Sequence, residues 1–292
     1  MKPPRFEYHA PSSLGEALEL LAEFGSEAKV ISGGQSLMPL LNMRLISIGH
    51  LIDINRISEL TTLQAQDDFI RIGANVRQRA VERSQDVAEY CPVLTEALNY
   101  VGHPVIRNRG TVVGSAAHAD PAAEIPAVLL LLGGTVTAAS RTGDRQIRSK
   151  DFFRGPFETD LRSDELATEV RFSVSDGRIG SAFMEVARRH GDFAICGVGA
   201  LVSGEAARLA FTGVGPVPEV VDVTDALPES VDAAIEQAMR HLHPTDDIHA
   251  SAAYRRHLAR VLGTRTLMVA LERAGGRGDR ERAHRERRWR GT

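Results

Sequence analysis

Apolar positions recur along the chain at helical and strand spacings, and the changes of period divide it. In "SSLGEALELLAEFG", Leu14, Ala17, Leu18, Leu21 and Phe24 fall at helical spacing behind serines suited to an N-cap, and Gly25 ends the run. "AKVISGG" then reads as a short β-branched strand, and "HLIDINRI" as another, after an apolar pattern that resumes from Met38 to Ile46. Helix, strand, glycine turn, short helix and strand make a first unit over residues 1–56. "DFIRIGANV" alternates apolar and polar positions and opens a second unit, 57–176. Within it "VAEYCPVLTEALNYVG" and "AAEIPAVLLLLGG" predict helices, "TVTAASRTGDRQI" a hairpin around Gly143–Asp144, and "ELATEVRFSV" a closing strand.

A shift of composition near Ser175–Gly180 predicts the boundary to a third unit, 177–274. Three strand-like runs come first there, "SAFMEVARR", "AICGVGALVS" and "AARLAFTGVG", and helices follow from Ser230 to Arg240 and from Tyr254 to Arg273. Strands grouped before helices imply an α+β layer, an antiparallel sheet backed by helices. The segment 275–292, "GGRGDRERAHRERRWRGT", has no apolar face and is rich in arginine, a composition that predicts a disordered basic tail.

Composition narrows the function. At 292 residues, with 43% hydrophobic and 25% charged positions, the chain reads as a soluble globular protein with an ample core. A net charge of −3 gives no general attraction to nucleic acid or to an anionic membrane. The longest apolar run, "AVLLLLGG", is too short to span a bilayer, and the first residues lack the apolar stretch of a signal peptide. A cytoplasmic location is therefore expected. The 2 cysteines, Cys91 and Cys196, lie far apart and outside any C-x-x-C spacing, so the chain alone builds neither a disulfide framework nor an iron–sulfur cluster.

Chemistry concentrates in two glycine clusters. "VISGGQSLMPLLNMRL", from Val30 to Leu45, sets Gly33 and Gly34 directly after a strand-like run and follows them with Gln35 and Ser36. Glycine there usually means that something approaches the backbone closely, because only glycine accepts positive φ freely and carries no Cβ. "RNRGTVVGSAAHADPAAEIPA", from Arg107 to Ala127, repeats the theme: Gly110, Gly114 and Ser115 read as a bare turn with a hydroxyl donor, and His118, Asp120 and Glu124 follow before a helix. Two such turns from different units suit an extended anionic ligand held through backbone N–H groups, and a dinucleotide pyrophosphate fits. Asp120 and Glu124 would then accept hydrogen bonds from ribityl or ribose hydroxyls.

Neither cluster shows G-x-G-x-x-G before a crossover helix or G-x-x-x-x-G-K-[ST], and "GGQSLM" is not the G-x-S-x-G of a hydrolase. "HLHPTDDIH" offers His241, His243, Asp246, Asp247 and His249, which could pass for mixed N and O metal ligands. Its proline and paired acids fit a loop capping the helix near Ala250 better. Cys196, in an apolar strand, reads as a core residue.

Together, "SGGQSLMPLLNMRL" and "RNRGTVVGSAAHADPAAEIPA" resemble the paired FAD signatures of the flavoprotein subunit of molybdenum hydroxylases, the medium subunit of the xanthine dehydrogenase and carbon monoxide dehydrogenase family. The similarity continues through "FFRGPFETDLRSDELATEVRF", "AFMEVARRHGDFAICGVGALV", "FTGVGPVPEVV" and "DIHASAAYRRHLARVLGTRTL", nearly the whole chain outside the tail. The resemblance implies a two-part FAD-binding domain of the PCMH, or vanillyl-alcohol-oxidase-like, type, followed by a smaller flavoprotein C-terminal domain. It implies that Ile31, Ser32, Gly33, Gly34, Gln35, Ser36 and Leu37 wrap the pyrophosphate, and that Thr111, Gly114, Ser115, Ala117 and His118 form the second signature. Asp120 and Glu124 match its acidic positions, with Glu124 toward the ribityl chain. Leu166 falls where the family contacts the ring system or adenine through its backbone, and Asp192–Phe193 beside the isoalloxazine. The implied function is electron relay, with no catalytic residue and no metal ligand in this chain, and the implied partners are a large molybdenum-cofactor subunit and a small [2Fe-2S] subunit, as a dimer of heterotrimers. One position departs from the family: Val113 stands where the second signature usually has glycine. Valine is poorly suited to positive φ. The competing reading is a non-enzymatic scaffold of the same fold that has lost FAD.

Overall fold

The computed structural model describes residues 2–66, 68–174, 179–204, 206–227 and 229–289, with side chains described as far as 275. Its first unit is a three-stranded parallel sheet. β1 (Glu7–His9) and β2 (Ala28–Ile31) flank β3 (His50–Asp53), with Glu7 and Ala28 both in register with His50. The helix Leu14–Phe24 starts where Ser13 accepts a hydrogen bond from the Glu16 amide, and it buries Ala17, Leu18 and Leu21 as the spacing predicts. The three residues of β1 are too few to show a period, and pattern reading misses them.

The second unit is a five-stranded antiparallel sheet of order β4-β5-β10-β6-β7. Its strands are β4 (Leu63–Ala65), β5 (Phe69–Gly73), β6 (Thr135–Ser140), β7 (Gly143–Arg148) and β10 (Leu166–Ser173), and a short pair, β8 (Phe153–Gly155) with β9 (Glu158–Thr159), sits apart. The hairpin turn is at Arg141–Thr142, with Ser140 opposite Gly143, two residues before the Gly143–Asp144 that composition points to. The predicted helix "VAEYCPVLTEALNYVG" is two helices, Gln85–Tyr90 and Pro92–Leu98. Pro92 lacks the N–H that would continue the first, but is well placed to start the second.

The third unit is a four-stranded antiparallel meander, β11 (Ile179–Ala187), β12 (Ala194–Ser203), β13 (Ala206–Thr212) and β14 (Glu219–Asp222), covered by the helices Val231–His241 and Ala252–Trp289. This is the antiparallel layer backed by helices that the order of strands and helices implies. The predicted boundary falls partly on 175–178, outside the described residues. The last helix continues to Trp289 through the segment that composition reads as disordered. "RERAHRERRW" is a run of good helix formers once past its glycines, and composition alone does not weigh that local propensity. Among the described residues, no helix is long and apolar enough to cross a membrane.

Contacts at Glu96 help seat the third unit on the second. Arg273 reaches Glu96 at 2.6 Å and the carbonyl of Ser181 at 2.5 Å, and the amide of Phe183 donates to Glu96 at 3.0 Å. Within the third unit, the buried Arg255 guanidinium donates to the carbonyls of Ile195 and Gly213 and pairs with Asp247 at 2.6 Å. Asp247 also accepts from the amides of His249 and Ala250, and Asp246 from that of Ala252. These bonds hold the Asp247 carboxyl down at about 2, and they make "HLHPTDDIH" a helix-capping loop. Arg255→Met should cost about 2–4 kcal/mol in urea unfolding, since it strands two buried carbonyls.

Candidate functional site

β2 delivers the first glycine segment and a polar net fixes it. Ser32 Oγ donates to the carbonyl of Ala74 at 3.1 Å and faces Asn75 Oδ1 at 2.8 Å, while Asn55 Nδ2 donates to the Ser32 carbonyl at 2.9 Å. Asn75, itself buried, donates to the Ile54 carbonyl at 2.6 Å. After Ile31 the chain turns at Gly34, whose φ is +71°, and enters the helix Leu37–Asn42. Ser36 stands at the N-cap position without using its hydroxyl as a cap, and Gln35 Nε2 donates to the Gly33 carbonyl at 3.1 Å.

The second segment differs from the bare turn expected of it. Thr111 is the N-cap of a helix, Val112–His118, and its Oγ accepts the Gly114 amide at 3.1 Å. Gly114 and Ser115 therefore lie in a helical first turn, Gly114 exposed and Ser115 half-buried. Val113 is helical too and sits 2% exposed in the core, away from the positive-φ positions, so valine fits without strain. That removes the premise of the scaffold reading.

The two segments touch. A Cβ built on Gly33 would lie 2.6 Å from the Arg109 carbonyl oxygen and 2.8 Å from the Gly110 Cα. The close neighbour that the first cluster makes room for is the second cluster. Arg77 spans the seam, donating to the Arg109 carbonyl at 2.8 Å and to Asn55 Oδ1, and partial burial beside Arg109 lowers its pKa. Asn55, Asn75 and Arg77 went unread in the sequence. Each is a single polar residue just past a strand, and only its partner across the fold gives it meaning.

Beyond the helix, Ala119 takes a left-handed φ of 52° and accepts the Phe157 amide at 2.9 Å. The His118 ring rests 5.1 Å from the exposed Phe157 ring, and burial lowers its pKa more than Asp120 raises it, so the imidazole is neutral at pH 7. Asp120 is half-buried and uses Oδ1 to accept the Ala122 amide at 2.8 Å. Thr212, at the end of β13, shares its hydroxyl between the carbonyls of Pro121 and Ala123 at 2.9 and 2.8 Å, and the Gly213 amide donates to Pro121 at 2.9 Å. The loop after the second segment is thus docked on the third unit's sheet.

Glu124 is only 6% exposed and lies beside Glu185 on β11. Burial pushes both carboxyls up, Glu124 to about 7 and Glu185 to about 9, and the protonated Glu185 is the donor of the pair. Glu185 Oε2 has no hydrogen-bond partner among the described residues. Leu166 is buried in β10, leaving only its backbone to offer a ligand, and Asp192–Phe193 form the turn between β11 and β12, with Phe193 70% exposed. Gly191 in that turn, with φ +84°, packs on His103, which stands before the helix leading to Arg109.

The donor set suits a dinucleotide: two glycine backbones in contact, hydroxyls at Ser36 and Ser115, a neutral histidine and a carboxylate two residues beyond it. Comparisons with known proteins agree. Residues 4–173 match the FAD-binding domain of molybdopterin dehydrogenases, and 181–270 the C-terminal domain of carbon monoxide dehydrogenase flavoproteins. The chain is 40% identical to 6-hydroxypseudooxynicotine dehydrogenase complex subunit alpha of Paenarthrobacter nicotinovorans, over 94% of this chain and 97% of that one. Its structure is similar to carbon monoxide dehydrogenase from Hydrogenophaga pseudoflava (TM-score 0.87, 34% identity, 94% and 99% of the two chains). It is equally similar to quinoline 2-oxidoreductase from Pseudomonas putida 86 (TM-score 0.87, 35% identity, 94% and 99%). The chain belongs to the FAD-binding subunits of the molybdenum hydroxylases, oxidoreductases of the xanthine and carbon monoxide dehydrogenase family, and its cofactor is FAD.

Proposed function

We propose that this chain is the relay subunit of a cytoplasmic molybdenum hydroxylase complex, taking electrons from a small [2Fe-2S] subunit after a large molybdenum-cofactor subunit has oxidised the substrate, and passing them to a terminal acceptor. A dimer of such heterotrimers is the assembly the family implies. Bound FAD supplies a centre that accepts electrons singly and releases them in pairs. The observation that carries the reading is the seam between Gly33 and Gly110, two bare backbones from different units lying side by side.

The residues divide the work of holding the flavin. Backbone amides from Ile31 to Leu37 wrap the pyrophosphate, with Gln35 and Ser36 adding side-chain donors; Thr111, Gly114, Ser115 and Ala117 close the other side. His118, neutral at pH 7, contributes a hydrogen bond without a second positive charge. Asp120 has an oxygen left for a sugar or ribityl hydroxyl. The exposed Asp192–Phe193 turn lies beside the ring system, and the Leu166 backbone contacts the ring system or the adenine. Cys91 and Cys196 take no part: burial pushes both thiols up to about 12, so neither offers the thiolate that an iron–sulfur cluster requires.

The purified chain, incubated with FAD and desalted, should be yellow with absorption at about 450 nm and should release FAD on acid treatment. Alone it should not turn over substrate; with the two partner subunits co-expressed it should copurify as a three-subunit complex. A chain that refuses FAD, or that oxidises substrate unaided, would refute the proposal.

A further inference from the structure

The first sheet carries a cluster that flavin binding does not use. Glu7 and His9 sit two residues apart on β1, so both project to the same face, and His50 of β3 is in register with Glu7 on that face. His9 Nε2 and His50 Nδ1 are 3.0 Å apart, and Glu7 Oε2 is 3.8 Å from His50 Nδ1. All three ligand atoms lie within 4.8 Å of one another, and among the described residues no other group of histidine, cysteine or carboxylate side chains converges this way. Tyr8, between them in sequence, points elsewhere and donates to Asp53 at 2.6 Å.

The rings are held before any ion arrives. Phe24 stacks on His50 with centroids 3.6 Å apart and planes 4° apart, and it touches the His9 ring at 5.2 Å. Two nitrogens bound to one tetrahedral ion at bonds of about 2.0–2.1 Å are roughly 3.3 Å apart, so the imidazoles need to part by only a few tenths of an ångström. Glu7, 68% exposed at its side chain, is free to close the remaining distance. Two imidazoles and a carboxylate match a borderline divalent cation, and leave water the fourth position.

We propose that Glu7, His9 and His50 form a binding site for a divalent cation of the zinc class, which clamps the edge strand β1 to the central strand β3. The clamp joins strands 41 residues apart in sequence at the outer edge of the first sheet, on residues other than those of the glycine segments.

The test is calorimetric titration of the full-length, FAD-loaded chain with zinc chloride in a non-chelating buffer at about pH 7.5, where histidine is neutral. One zinc per chain should bind in the wild type, with affinity about tenfold or more lower in His9→Ala and in His50→Phe, and a smaller loss in Glu7→Gln. His50→Phe keeps an aromatic ring against Phe24 while removing the nitrogens, so a binding loss there with the flavin spectrum unchanged separates ligation from misfolding. Zinc should also raise the melting temperature of the wild type and leave that of both histidine variants unmoved. Equal zinc uptake by wild type and both variants, or none by the wild type, would overturn the proposal and leave the pair as a histidine–histidine hydrogen bond.

Discussion

Gly33→Ala is expected to purify as a folded but colourless chain, with FAD affinity reduced more than a hundredfold. The added methyl group would meet the Arg109 carbonyl oxygen at 2.6 Å, the Gly110 Cα at 2.8 Å and the Thr111 nitrogen at 3.1 Å. Every one of these is backbone, so no rotamer change relieves the clash and the two segments must separate. Overpacking of this kind costs about 3 kcal/mol. Neither Gly33 nor Gly110 is among the buried apolar core residues, so the cost falls on the gap between the segments, where the flavin needs them together; about 1.4 kcal/mol corresponds to tenfold in affinity. Flavin content by absorbance and FAD titration of the apo chain measure the effect. Gly15→Ala is the control: its Cβ would meet nothing closer than 4.0 Å and the residue lies in a helix, so it should be neutral or slightly stabilising and keep its colour. Full flavin occupancy in Gly33→Ala would show that the seam is not the clamp.

Glu185→Gln is expected to abolish most of the pH dependence of stability above neutrality. Both carboxyls of the Glu124–Glu185 pair have pKa values raised by burial above the ordinary carboxylate range, so the folded state holds protons that the unfolded chain would release. The sign follows: their contribution is fully present below about pH 4.5 and is lost as pH rises through 7 and then 9. The groups facing the pair do not cancel this: burial is the largest cause at both carboxyls and Asp120 adds to it, outweighing the backbone hydrogen bond and the Arg107 charge that favour ionised Glu124. Between pH 6 and pH 9 the wild type should lose on the order of 5 kcal/mol, read as a falling urea midpoint. Glutamine keeps a donor for Glu124 and has no proton to release, so once Glu124 has ionised just above neutrality the variant's curve should be nearly flat. A flat wild-type curve would show that the pair does not share a proton.

How far the sequence reveals this protein depends on whether meaning is local. Leu14, Ala17, Leu18 and Leu21 announce a helix through their own spacing, and Val170, Phe172, Ile70 and Ile72 announce strands through alternation, because one buried face imposes one period. β1 and β14 are too short for any period to show, and Pro92 breaks in two a helix whose apolar spacing runs on across it. The glycine clusters are legible as backbone signals, although their contact with each other is not. Thr111 hides a helix start behind a Val-Val-Gly run of poor helix formers. That Glu124 lies beside Glu185 is invisible in the sequence, because 61 residues separate them. The net of Asn55, Asn75 and Arg77 escapes for the same reason.

Thr212 also fixes an order of events. The loop that follows the second glycine segment has its carbonyls satisfied only when Thr212 and Gly213 are in place, about 90 residues further along the chain. Domains form as the chain emerges from the ribosome, and a nascent polypeptide ending at residue 176 has both glycine segments but not the strand that steadies the second. The steadying of the second glycine segment is therefore a late event in synthesis, completed only once β13 has been made.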